Sequence, residues 1–96
     1  MKDLLQQPIV FTGKLNSLTR SQAQQLAVML GALPQTNMNQ KVKYVIAGQI
    51  EQSMFETLTT KKIRYAEMHS VEILNETDFL KWCIWRLQQK NFFSHV

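Results

Sequence analysis

The chain has 96 residues, 45% of them apolar and 19% charged, with 11 Lys and Arg against 7 Asp and Glu. That is enough chain for one hydrophobic core but not for two, and it is too apolar for a disordered tail. A lone cysteine, Cys83, excludes an internal disulfide, and with only His69 and His95 beside it no recognised zinc spacing exists.

The opening residues, MKDLLQQP, hold neither an apolar signal core nor a small-residue cleavage site, so the expectation is a cytoplasmic protein. Residues 1–6 read as a leader or the end of a linker. Gln7 to Thr12 (QPIVFT) is a β-branched and aromatic run that stops at Gly13, which predicts a buried strand. Thr19, with Gln22 three residues later, forms a capping box. Ala23, Leu26, Ala27 and Leu30 then recur at helical spacing up to Gly31, predicting a helix over 20–30 whose small alanines suit close packing on a sheet. The longest apolar run, Leu26 to Pro34, is too short to span a membrane, so no membrane partner is expected.

Ala32 to Thr36 predicts a short strand that Pro34 confines to a sheet edge, followed by a polar turn at 37–40. Val42 to Ala47 (VKYVIA), closed by Gly48, is the strongest strand signal. Residues 49–58 read as a loop with some helical tendency. Thr59 or Thr60 can cap a second helix over 60–69 that turns Ile63 and Ala66 inward. Val71 to Leu74 is the last strand. Asn75 then caps a third helix with Glu76 and Asp78 in its first turn, where the helix dipole favours acids. That helix is expected to run to Gln89 and to bury Phe79, Leu80, Cys83, Ile84 and Leu87. The order β-α-β-β-α-β-α predicts an open α/β sheet with helices on both faces, and such sheets place ligands beyond the carboxyl ends of their strands.

Net charge is +4 but unevenly placed. From Leu4 to Ile50 there is no acid, while Lys14, Arg20, Lys41 and Lys43 fall there; beyond Ile50 six acids and six bases cancel. The asymmetry hints at an anionic partner, although charge alone favours a plain solubilising surface.

No catalytic signature is found. Gly13-Lys14 resembles the end of a phosphate loop, but Pro8 and Leu15 stand where that motif needs Gly and Ser or Thr. There is no paired-carboxylate motif, no G-x-S-x-G and no H-E-x-x-H. Cys83 on an apolar helical face reads as a core residue and His69 as a partner of the last helical carbonyls. No cofactor, no metal and no enzymatic activity are expected. What stands out is Thr12-Gly13 at a strand end together with Thr60-Lys61-Lys62 at a helix start. If those loops adjoin, the Thr12 hydroxyl, the Gly13 amide, the Lys62 ammonium and the helix N-terminus compose a phosphate pocket. Spacing alone favours the plainer alternative, in which Gly13 makes a tight turn, Thr60 caps and Lys62 is solvated.

The segments IVFTGKLNSLTRSQAQQLAVMLGA, KVKYVIAG and TKKIRYAEMHSVEILNETDFLKWC closely resemble a BRCT domain. The likeness is strongest to the bacterial kind, found at the C-terminus of NAD-dependent DNA ligases and of some DNA polymerase III exonuclease chains. It covers residues 8–90, through the pattern F-T-G-x-L, T-R-x-x-A, a glycine after the first helix, Y-V-I-A-G, K-x-x-x-A and D-F-L. The resemblance implies a four-stranded parallel sheet in order 2-1-3-4, flanked by three helices, the first and third on one face. It implies a single domain over 7–91 with a tail at 92–96, and a non-catalytic role within a larger protein. Family members that bind phosphate use a Ser or Thr and a Gly after the first strand and a T-x-K at the second helix; Thr12, Gly13, Thr60 and Lys62 match. Two departures are Gly31-Ala32 for the usual glycine pair, and Phe79 for the usual Trp of the third helix.

The function so implied is a binding module of a DNA replication or repair protein that contacts DNA at a phosphorylated end or nick, with Lys14 and Arg20 adding backbone contacts. Two alternatives stand beside it. One is a protein-interaction module for a phosphopeptide or a replication partner. The other is self-association as a homodimer through Trp82, Trp85, Phe92 and Phe93.

Overall fold

The computed structural model describes residues 1–49 and 58–89, with residues 58–60 described by backbone alone. The elements follow as β1 (Pro8–Thr12), α1 (Arg20–Met29), β2 (Leu33–Pro34), β3 (Tyr44–Ala47), α2 (Leu58–Met68), β4 (Glu72–Asn75) and α3 (Glu76–Leu87). Their strands form one sheet in the order β2-β1-β3-β4, every pair parallel, as the resemblance implied.

Strand periodicity divides the core into two layers. Ile9 and Phe11 of β1, Ile46 of β3 and Leu74 of β4 share a cluster with Ala23, Ala27 and Leu30 of the α1 segment and Phe79, Trp82 and Cys83 of α3. Phe11 meets Phe79 edge to face, ring centroids 5.1 Å apart, so the phenylalanine at the usual Trp position anchors α3 to the central strand. Val10 and Val45 point to the opposite face and are fully buried, as is Ala66 of α2, the helix that packs on β1, β3 and β4.

The α1 capping box is present in full: the Thr19 side chain accepts from the Gln22 amide while the Gln22 side chain accepts from the Thr19 amide. Gly31, at φ +100°, ends the helix in a conformation that suits glycine. Pro34 sits on the edge strand, where its missing N–H costs no ladder bond: Leu33 and Gln35 donate to Gln7 and Ile9 on either side of it.

Three expectations need correction. On α3, Ile84 is 58% exposed and Leu87 39%, whereas Trp82 is buried. The inward stripe runs Phe79, Trp82, Cys83 and the half-buried Arg86, the i, i+3, i+4, i+7 phase, and residues 84 and 87 fall outside it. The second helix starts at Leu58, so Thr59 and Thr60 lie in its first turn, where helical backbone precludes the extended geometry of an N-cap. His69 does not act on helix-end carbonyls; its ring lies 4.0 Å from that of Tyr65.

The opening segment is also more than a leader. Leu4 is fully buried, Asp3 Oδ1 accepts from the Trp82 indole N–H at 2.9 Å, and the Gln6 amide donates to the Gly31 carbonyl at 2.6 Å. A buried indole needs a partner, and Asp3 supplies it. Leu4→Ala should therefore lower unfolding stability by about 2–5 kcal/mol, measured as a reduced urea midpoint at unchanged slope. A midpoint equal to wild type would mean that residues 1–6 contribute nothing to the core. The predicted loop at 49–58 lies outside the described residues except at its ends, as do Phe92, Phe93 and the expected tail.

Candidate anion-binding site

The chain leaves β1 through α1 toward β2 on one side of the sheet, and leaves β3 through α2 toward β4 on the other. Connections thus diverge between β1 and β3, and the crevice of such a sheet opens at the carboxyl ends of those two strands. Thr12-Gly13 and Ala47-Gly48 stand there side by side, with Thr12 paired to Ala47.

Gly13 turns the chain at φ +77°, a region that a side chain would strain. The following loop is laced to the end of β3: the Gly48 amide donates to the Thr12 carbonyl, the Lys14 amide to Gln49, and the Gln49 amide to Lys14, at 2.8–3.0 Å. Thr12 itself is buried, 1% exposed.

Two cations converge on this strand end. Arg20, the first residue of α1, reaches back so that its Nη2 donates to the Gly13 carbonyl at 2.7 Å. Lys62 of α2 approaches from the other helix, its Nζ donating to the Phe11 carbonyl at 3.5 Å. Burial pushes the Lys62 ammonium below the ordinary lysine range, and the nearby Arg20 charge pushes it further in the same direction. Among the described residues the one ion pair is Lys2–Glu72, which involves neither cation, so neither is neutralised by a described carboxylate.

Of the residues singled out from the sequence, Gly13, Lys62 and Arg20 come together, with Thr12 buried beneath them. Arg20, expected to contact DNA backbone, lies beside Gly13 and donates to its carbonyl. Its signal was legible: it is the residue directly after the Thr19 cap, and a first-turn side chain of a helix that starts beside a strand end is aimed at that end. Lys14 is exposed on the outer loop, where a groove is lined by Gly13 to Arg20 and Gln22. The Thr60 side chain lies outside the described residues. Among the described residues no group of three or more His, Cys, Asp or Glu side chains comes together as for a metal, and no helix is long and apolar enough to cross a membrane. Cys83 is buried, and desolvation raises its thiol pKa to about 12, the condition of an inert core thiol.

One contributor was missed. Glu76 at the start of α3 accepts from the backbone amides of Asn16 and Ser17, both at 2.7 Å. Those bonds hold its carboxyl below the usual range. A glutamate in a helix's first turn is so readily explained by the dipole that the sequence gives no reason to look 59 residues back for its partner.

The depressed Lys62 pKa has opposite consequences for folding and for binding. Between its folded pKa and the unfolded value near 10.5 the unfolded chain holds more protons, so the Lys62 contribution to stability rises with pH. Over the same interval this strand end loses a positive charge, so an anion held there should bind more weakly. A pH series of urea midpoints and phosphate affinities should show the two moving apart, and Lys62→Met should abolish both trends. Parallel trends would mean that Lys62 does not titrate in the pocket.

A pair of helix-borne cations thus stands at the switch point of a small parallel sheet of the α/β class. The model of the BRCA1 C Terminus (BRCT) domain matches residues 2–81. The chain is 35% identical over 72 residues to a DNA ligase of Pelagibacter ubique, covering 75% of this chain and 10% of the ligase. It is 36% identical over 73 residues to a DNA ligase of Bradyrhizobium sp. (strain ORS 278), covering 76% and 9%. With a DNA ligase of Acinetobacter baumannii (strain AYE) it shares 37% over 71 residues, covering 74% and 9%. The chain belongs to the BRCT family, whose domains are non-catalytic modules. The chain matches about a tenth of the length of these ligases.

Proposed function

We propose that this domain binds DNA for a replication or repair protein, taking the phosphorylated end of a strand in the pocket between β1 and β3. The observation that carries this reading is the convergence of Arg20 and Lys62 on the end of β1, at the Gly13 and Phe11 carbonyls, without a described carboxylate to neutralise them. A terminal phosphate monoester brings extra negative charge and a free oxygen that an internal diester lacks, and two cations from different helices suit it. The Gly13 amide offers a donor with no side chain in the way, and Thr12 and Thr60 complete the pocket in this reading. Lys14, on the exposed loop, meets the neighbouring diester backbone, a contact that adds affinity without reading sequence. The relatives named DNA ligase support the assignment to DNA transactions.

The test is a titration of the wild-type chain with one duplex carrying either a 5′-phosphate or a 5′-hydroxyl end, at one fixed salt concentration. The phosphorylated end should bind more tightly. Equal affinities would reject end recognition. A second reading, a protein partner or a second copy, is favoured by the exposed apolar side chains Val28 and Met29 of α1 and Ile84 and Trp85 of α3. It predicts a mass that rises with protein concentration, or binding of a phosphopeptide in preference to DNA.

A further inference from the structure

The loop between β1 and α1 carries Gly13 at one end and leads into Arg20 at the other. Between them, the consecutive amides of Asn16 and Ser17 point at a single acceptor, the Glu76 carboxylate, one oxygen to each. Two successive backbone donors on one anion form a small concave nest of the kind that elsewhere holds phosphate or sulfate. Here a side chain of the same chain fills it. At its other end the same glutamate is the first residue of α3, whose Asn75 cap and Asp78 form their own capping box. The glutamate therefore ties the loop to a helix anchored in the core through Phe79 and Trp82.

We infer that Glu76 is a positioning residue for the anion site: by holding the Asn16 and Ser17 amides it fixes the loop that sets Gly13 and Arg20 in register with Lys62. It does not contact the ligand. This inference rests on the phosphate-end reading above. The lowered carboxyl pKa of Glu76 accords with it, since the group must stay ionised to accept both amides. The charged groups on the elements around it are Lys14 in the loop, Arg20 on α1, Glu72 on β4, and Asp78, Lys81 and Arg86 on α3. The two amide bonds are what chiefly lowers its carboxyl pKa, against the opposing effect of desolvation.

A purely structural role is the rival account, because Glu76 also lies at a helix start. Two substitutions separate the accounts. Glu76→Gln keeps the side-chain volume but replaces one acceptor by a donor, so one of the two amides faces a repulsive partner. Asp78→Asn weakens the capping box at the same helix end without touching the loop. Both are compared with wild type for 5′-phosphate over 5′-hydroxyl preference at temperatures where each is folded.

Glu76→Gln should reduce the preference on the order of five- to tenfold, as mutations that modulate a site without contacting its ligand do, and Asp78→Asn should leave it unchanged. Preference unchanged in Glu76→Gln, or reduced equally by both variants, overturns the positioning role while leaving the end-binding reading intact. No preference in the wild type overturns both. Should Glu76→Gln fail to fold, wild-type hydrogen exchange decides. The Asn16 and Ser17 amides should exchange more slowly with the phosphorylated duplex bound than with the hydroxyl one, and equal rates overturn the coupling of loop to site.

Discussion

Lys62→Ala should weaken binding to a 5′-phosphorylated duplex end about tenfold, while leaving a 5′-hydroxyl end within about twofold. A charge-assisted contact is worth about 1.5–3 kcal/mol when shielded, and the half-buried setting of Lys62 places it toward the lower end because water screens part of the field. Arg20→Ala should act in the same direction. The double substitution should cost less than the sum of the two, because the cations share one ligand and repel one another in its absence. Lys14→Ala should lower affinity for both ends alike. Unfolding midpoints serve as the control, and Lys62→Ala should not lower them, since it removes a charge disfavoured by burial and by Arg20. If Lys62→Ala weakened both ends equally, the site would reduce to a general electrostatic surface.

Ala27→Asp should leave the chain unfolded at room temperature. Ala27 is fully buried in a core cluster that it shares with Ile9, Phe11, Phe79 and Trp82, apolar side chains that offer no partner for a carboxylate. An unpaired buried charge costs several kcal/mol even after relaxation, against a total stability of about 5–15 kcal/mol for a typical domain. The small volume of alanine adds overpacking to the penalty. Leu26→Asp should be milder, because Leu26 is only partly buried at the margin of the same cluster. Circular dichroism and urea titration of the two variants provide the check. A cooperative transition of wild-type midpoint in Ala27→Asp would mean that α1 does not pack on the sheet through this face.

The contrast between Ala27 and Leu26 shows what the sequence makes legible. Helical spacing identified the stripe Ala23, Leu26, Ala27 and Leu30, and the cap at Thr19 and stop at Gly31 bounded it, because both signals are local backbone chemistry. Which member lies at the centre of the contact depends on how the helix is rolled against the sheet, and that is set by its neighbours. On α3 the apolar residues spread around the helix, so periodicity admitted both the 79–83 phase and the 80–84–87 phase. The choice falls to Trp82, whose indole finds Asp3 in a segment that reads as a mere leader. The pocket shows the same division. Gly13 and Lys62 are recognisable because a turn and a helix start are marked in the sequence. Arg20 is marked by its place directly after the Thr19 cap, whereas Glu76 acts across the loop, and no spacing rule links residue 76 to residues 16 and 17.

The most direct measurement is a two-dimensional amide NMR titration of the labelled chain with a 5′-phosphorylated duplex. The largest shifts should map to Gly13, Lys14, Arg20 and Lys62, and the hydroxyl duplex should reproduce those at Lys14 but not those at Gly13 and Lys62. Shifts centred instead on Val28, Met29, Ile84 and Trp85, with Gly13 and Lys62 unmoved, would contradict a phosphate pocket between β1 and β3.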